Sequence, residues 1–111
     1  MYREEEIMRF VSLLVEVANP DKIILFGSYA YGEPNDRSDV DLLVIKNGKD
    51  FTVDEEAELA TSVFLKKVEN DIKMRYDLFF NTERQARNIS ENGGAFAEAF
   101  EKGKVIYARI Q

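Results

Sequence analysis

The chain has 111 residues, 45% of them apolar with eight Phe and five Tyr, which suffices for one core without staples, and no composition shift divides residues 1–111 into more than one domain. Cysteine and histidine are both absent, which excludes disulfides, thiolate metal sites, thiol catalysis and histidine-based triads; carboxylates, hydroxyls, lysines or a bound cation must carry any chemistry. Fifteen basic against 21 acidic residues give a net charge of −6, which argues against an extended nucleic-acid surface except where a bound cation reverses the local field.

Ile7, Phe10, Val11, Leu14 and Ala18 recur at steps of three and four, so residues 3 to about 18 read as an amphipathic helix, stopped by Asn19-Pro20-Asp21. The opening Tyr2-Arg3-Glu4-Glu5-Glu6 lacks the basic-then-apolar order of a secretion signal, and no apolar run reaches bilayer length. A cytoplasmic protein with no membrane association is the expectation. Lys22-Ile23-Ile24-Leu25-Phe26 reads as a strand buried on both faces. Gly27-Ser28 ends it, Tyr29-Ala30-Tyr31-Gly32 suits one helical turn, and residues 33–38 have loop chemistry.

Residues 39–45, Asp39-Val40-Asp41-Leu42-Leu43-Val44-Ile45, form a second predicted strand, and Lys46-Asn47-Gly48-Lys49 a turn. Thr52-Val53-Asp54-Glu55 has capping-box spacing and opens a helix to about Asn70-Asp71, which presents Val53, Ala57, Ala60, Phe64 and Val68 on one side. A third strand is expected from Ile72 to Phe80, where Ile72, Met74, Tyr76, Leu78 and Phe80 alternate with Lys73, Arg75, Asp77 and Phe79. Thr82-Glu83-Arg84-Gln85 repeats the capping pattern; Asn92-Gly93-Gly94 interrupts the last helical region, Gly103 ends it, and Val105–Ala108 suits a short closing strand. This order implies an α/β or α+β layer fold, a small mixed sheet with helices packed on it.

The segment Gly27 to Asp41 carries most of the chemical information. Strand alternation puts Asp39 and Asp41 on one face, and two adjacent carboxylates resist ionising together unless a cation such as magnesium bridges them. A turn former or solvated edge is the commoner reading of Asp-x-Asp alone. Gly27 would let a phosphate approach the backbone, with Ser28 adding a hydroxyl; the bland alternative is an ordinary strand-to-loop glycine with Ser28 as a cap. Joined by a short loop, the two motifs make a phosphate grip facing a cation site. Asp77 interrupts an apolar strand and is the candidate third acid, with a solvent-facing edge charge like Lys73 and Arg75 as the alternative.

Gly27-Ser28-Tyr29-Ala30-Tyr31-Gly32 followed by Ser38-Asp39-Val40-Asp41-Leu42-Leu43-Val44 resembles the signature of the polymerase-β-like nucleotidyltransferase superfamily, and within it the minimal nucleotidyltransferase (MNT) group. The resemblance covers nearly the whole chain and implies the nucleotidyltransferase fold. It implies that Gly27, Ser28 and Ser38 contact the nucleoside triphosphate, that Asp39 and Asp41 bind two magnesium ions, and that Asp77 is the third metal-binding acid and draws the proton from the acceptor. Catalysis would then be in-line attack at the α-phosphorus of ATP with pyrophosphate leaving. Tyr31 stands where the family usually has arginine, so a guanidinium is missing beside the phosphates; Arg37 is either its substitute or a solvated loop charge.

Proteins of the MNT group occur beside small helical HEPN partners in toxin–antitoxin modules, which implies an antitoxin that adds AMP to a tyrosine of its toxin. A chain of this length leaves no room for an acceptor-gripping domain, so a partner would supply the acceptor, and a homo-oligomer stays open. The stripe Ala95, Phe96, Ala99 and Phe100 suits either partner docking or, more commonly, core packing. Two other functions compete: a non-catalytic module whose acidic surface masks a basic partner, and nucleotide transfer to a small hydroxyl compound.

Overall fold

Each helix is bounded by a local signal. The computed structural model describes residues 1–110. Helix α1 (Glu4–Ala18) starts with Glu4, Glu5 and Glu6 at its positive end and stops where Asn19 turns left-handed (φ 49°) ahead of Pro20. Its buried side is Ile7, Phe10, Val11, Leu13, Leu14 and Ala18. Strand β1 (Lys22–Phe26) leads through Gly27 into the short helix α2 (Ser28–Tyr31), and strand β2 (Val40–Ile45) follows the loop. Helix α3 (Val53–Glu69) carries the reciprocal Thr52–Glu55 box, and helix α4 (Glu83–Ser90) the equivalent Thr82–Gln85 box. Between them runs strand β3 (Tyr76–Asn81); helix α5 (Ala95–Lys102) and strand β4 (Lys104–Ala108) complete the chain.

The sheet order is β3-β2-β1-β4. β1 pairs antiparallel with β2 and β4, whereas β2 and β3 are parallel, so the sheet is mixed as the element order implies. Alternation sorts the central strands between two cores. Ile23, Leu25, Val40, Leu42, Val44 and Phe80 pack with α1 and Val63 of α3. Ile24, Phe26, Leu43 and Ile45 pack with Ala86 of α4 and Phe96 and Ala99 of α5. Phe96 and Ala99 of the α5 stripe are therefore core and Phe100 packs against them, whereas Ala95 is exposed; Phe96 stands edge-on to both Phe26 and Phe79.

One expectation fails. The third strand begins at Tyr76, not Ile72, because its parallel partner starts only at Val40, whose amide makes the first rung by donating to the Arg75 carbonyl at 3.1 Å. Ile72 and Met74 are nonetheless buried, so the alternation reported packing without pairing. In α3, the stripe Val53, Ala57, Ala60, Phe64 and Val68 faces solvent, and Val63 is the helix's buried residue. Helix α1 already covers this face of the sheet, so α3 docks along a narrow line.

Candidate active site

Gly27 is the corner of the site. Its backbone (φ 72°, ψ −155°) favours glycine, and its carbonyl accepts hydrogen bonds from the amides of Ala30 and Tyr31 at 3.0 and 3.1 Å. A β-carbon here would collide with Oδ2 of Asp41. The antiparallel register explains the approach: Phe26, the residue before the corner, lies opposite Asp41. The strand end thus delivers Gly27-Ser28 and the first carboxylate to the same place.

The parallel β2–β3 register then sets Asp41 beside Asp77. Alternation puts Asp41 on the side of Leu43 and Ile45, so the acids share the sheet face covered further along by α4 and α5. Asp41 is half-buried, while Asp77 is exposed on an edge strand. Burial, then hydrogen bonding to and the charge of Asp77, then the charge of Asp39, push the Asp41 carboxyl up from 3.8 to about 6.

Asp39 immediately precedes β2, and its carboxylate closes on Arg75, Nε to Oδ1 at 3.1 Å. Arg75 also donates from Nη2 to the carbonyl of Asp36 at 3.2 Å, and its amide donates to the Tyr2 hydroxyl at 3.0 Å. The Tyr2 amide in turn donates to the Tyr29 hydroxyl on α2 at 3.1 Å. A continuous set of contacts therefore links α2, beside the Gly27 corner, to the entry of β3. Among the described residues no three acidic side chains close to the spacing of a metal cage. The structure brings Asp41 and Asp77 together, with Asp39 within electrostatic reach but paired to an arginine.

Ser38 closes its own turn, its hydroxyl accepting from the Asn35 amide at 2.9 Å. Arg37 is an exposed loop residue. Tyr31, in α2, donates its hydroxyl to Oε2 of Glu98 on α5 at 3.2 Å; burial first, then this acid and the charge of Asp41 hold the phenol above its ordinary value. Sequence reasoning overlooked Arg75 and Glu98 as members of the site. Arg75 becomes visible only with the strand register, which sets Asp39-Val40-Asp41 level with Arg75-Tyr76-Asp77. Nothing local pointed to Glu98, which meets Tyr31 only through tertiary packing.

The donor set suits a hard divalent cation. It offers carboxylate oxygens alone, and Asp41 is held up first by burial and then by the acids beside it, both of which a bound cation would offset. Asp41 and Asp77 would hold such an ion, with Asp39 joining once released from Arg75.

Comparison with known proteins agrees with this fold. Residues 9–111 match the family model described as polymerase beta, nucleotidyltransferase. The "Putative protein adenylyltransferase MJ0604" of Methanocaldococcus jannaschii is 33% identical over 111 residues, covering 96% of this chain and 100% of that protein. A crystal structure of a "putative nucleotidyltransferase" from Sulfolobus solfataricus superimposes with a TM-score of 0.58 at 18% identity, covering 95% of this chain and 86% of the other. A chain from a crystal structure of a "toxin-antitoxin with AMP-PNP" does so with a TM-score of 0.58 at 22% identity, covering 97% and 75%. At those identities the two structures speak for the fold. The chain belongs to the polymerase-β nucleotidyltransferase family.

Proposed function

We propose that this protein transfers AMP from ATP, with two magnesium ions, onto a protein hydroxyl, and that the acceptor is a tyrosine of a helical HEPN-type toxin which the modification silences. The observation that carries the reading is the in-register pair Asp41–Asp77 set against Gly27, with charge left to be neutralised. A protein acceptor is favoured by the relative described as a protein adenylyltransferase, and the antitoxin role by the structural neighbour from a toxin–antitoxin crystal.

In this reading Gly27 and Ser28 receive the triphosphate, and Ser38 keeps the loop beneath it in shape. Asp39, Asp41 and Asp77 hold the magnesium ions, which when bound supply charge neutralisation at the triphosphate. The acceptor oxygen attacks the α-phosphorus in line, the bond from that phosphorus to the bridging oxygen breaks, and pyrophosphate leaves. Asp77, open at the sheet edge, takes the hydroxyl proton and returns it to solvent.

Incubation with magnesium, ATP and a candidate HEPN-type partner is the test. A mass gain of one AMP on a toxin tyrosine, lost in Asp39→Asn, supports transfer. A second reading, a non-catalytic antitoxin that neutralises by binding, is favoured by Tyr31 in the arginine position and by the Asp39–Arg75 pair. Tight toxin binding without any mass gain would establish that reading instead.

A further inference from the structure

Helix α3 carries its longest apolar stripe on the outside. Val53, Ala57, Ala60, Phe64 and Val68 follow steps of four and three along one flank, and all are exposed: Val53 at 85%, Phe64 at 53% and Val68 at 61%, with Leu65 at 59% widening the band. Scattered exposed apolar residues are ordinary on protein surfaces. Five at seam spacing over nearly the full length of one helix are the pattern of a helix–helix contact. The inward side of α3 is satisfied by Val63, with Leu59 half-buried beside the same core.

We propose that this face is a two-fold interface, on which a second copy of the chain lays its own α3 antiparallel. The stripe is complementary to itself about the midpoint between Ala60 and Thr61. That arrangement sets Phe64 level with Ala57 of the second copy, large against small, and Val53 level with its Val68; the alanines at the centre allow close approach. Charge favours the same direction. Asp54, Glu55 and Glu56 occupy the first turn and Lys66 and Lys67 the last, so antiparallel packing sets acidic start against basic end, whereas parallel packing would stack the acids. Lys66 already meets Glu16 at 3.3 Å and Lys67 lies over the Tyr76 ring at 5.5 Å, so these lysines contribute field rather than new ion pairs.

A helix of 17 residues spans about 25 Å, and two of them side by side bury roughly 1,000 Å² in all, near the lower limit of specific interfaces. The dimer is therefore concentration-dependent. Because Asp41 and Asp77 lie on the opposite face of the sheet, pairing through α3 leaves both candidate sites open. The interface stands independently of the proposed reaction.

Sedimentation of the full chain from about 10 μM to about 1 mM tests it. The average mass is expected to climb from 12.8 kDa toward twice that value. Phe64→Glu, counted twice in a two-fold contact, weakens association by at least about a hundredfold while circular dichroism stays unchanged. The chain has no cysteine, so single introduced thiols report on proximity: Ala60→Cys forms a covalent dimer under mild oxidation and Ser62→Cys, on another flank, does not. A wild-type mass fixed at 12.8 kDa, a folded Phe64→Glu that dimerises normally, or equal cross-linking at both positions overturns the proposal. If Phe64→Glu fails to fold, the two thiol variants decide alone.

Discussion

Asp41→Asn should make the metal-free protein more stable, although it removes a residue placed at the centre of the site. The folded chain holds the Asp41 proton more tightly than the unfolded chain does, since the carboxyl rises from 3.8 to about 6 on folding. Native protein therefore binds the extra proton between those values, and stability falls as pH rises through them. Below the lower value the group is neutral in both states and costs nothing. Above about 6 the burden of a half-buried charge beside Asp77 and Asp39 is complete.

Taken at face value the rise corresponds to at most about 3 kcal/mol. Asp41 is partly open to water and the Asp77 beside it is exposed, so screening reduces this to about 1–2 kcal/mol. Asparagine keeps the size, removes the charge and can donate to Asp77. Melts in EDTA near neutral pH should place the variant about 4–8 °C above wild type, the gap closing toward pH 4. Magnesium should raise the wild-type midpoint and barely move the variant's. A variant no more stable than wild type at neutral pH, or a gap unchanged at low pH, would refute the claim that Asp41 is charged under strain.

Arg75→Gln should free Asp39 and increase the affinity of the nucleotide-free protein for manganese, a paramagnetic stand-in for magnesium, several-fold as read by titration; unchanged or weaker binding contradicts the pairing. Tyr31→Arg should restore a guanidinium beside Glu98 and tighten ATP binding about tenfold, measured by calorimetry. Thr82→Ala removes a buried hydroxyl that caps α4, accepting from the Gln85 amide at 3.1 Å and donating to Asp50 at 2.7 Å. Its expected cost is about 1–2 kcal/mol in chemical denaturation, with no change in metal binding.

The elements that sequence located best are those whose signals are local. Asn19-Pro20 ends α1, the two Thr-x-x-Glu/Gln boxes open α3 and α4, and Gly93-Gly94 divides α4 from α5, because caps and breakers act within a few residues. The alternation from Ile72 overran the true strand because it reports which side chains are buried, and Ile72 and Met74 are buried in unpaired backbone. The α3 stripe shows the same limit: periodicity identifies an apolar face without naming what covers it, and this one is exposed. In the candidate site, Gly27, Asp39, Asp41 and Asp77 were legible as residue types in a spacing. The Arg75 pair was not, since it depends on the register between two strands more than 30 residues apart in sequence.

That register also accounts for the unequal environments of the acids. β2 lies inside the sheet and β3 at its edge, so the same parallel step that brings Asp41 and Asp77 together half-buries one and exposes the other. Proton affinity is accordingly raised at Asp41, beside the glycine corner where a triphosphate would lie, while Asp77 faces open solvent. In the proposed reaction, an acceptor as large as a folded protein can reach the edge strand that carries Asp77. Arg75 occupies the same edge, level with and paired to Asp39. An anionic phosphate that drew the Arg75 guanidinium toward itself would release Asp39 in the same movement, making substrate arrival the event that completes the carboxylate set.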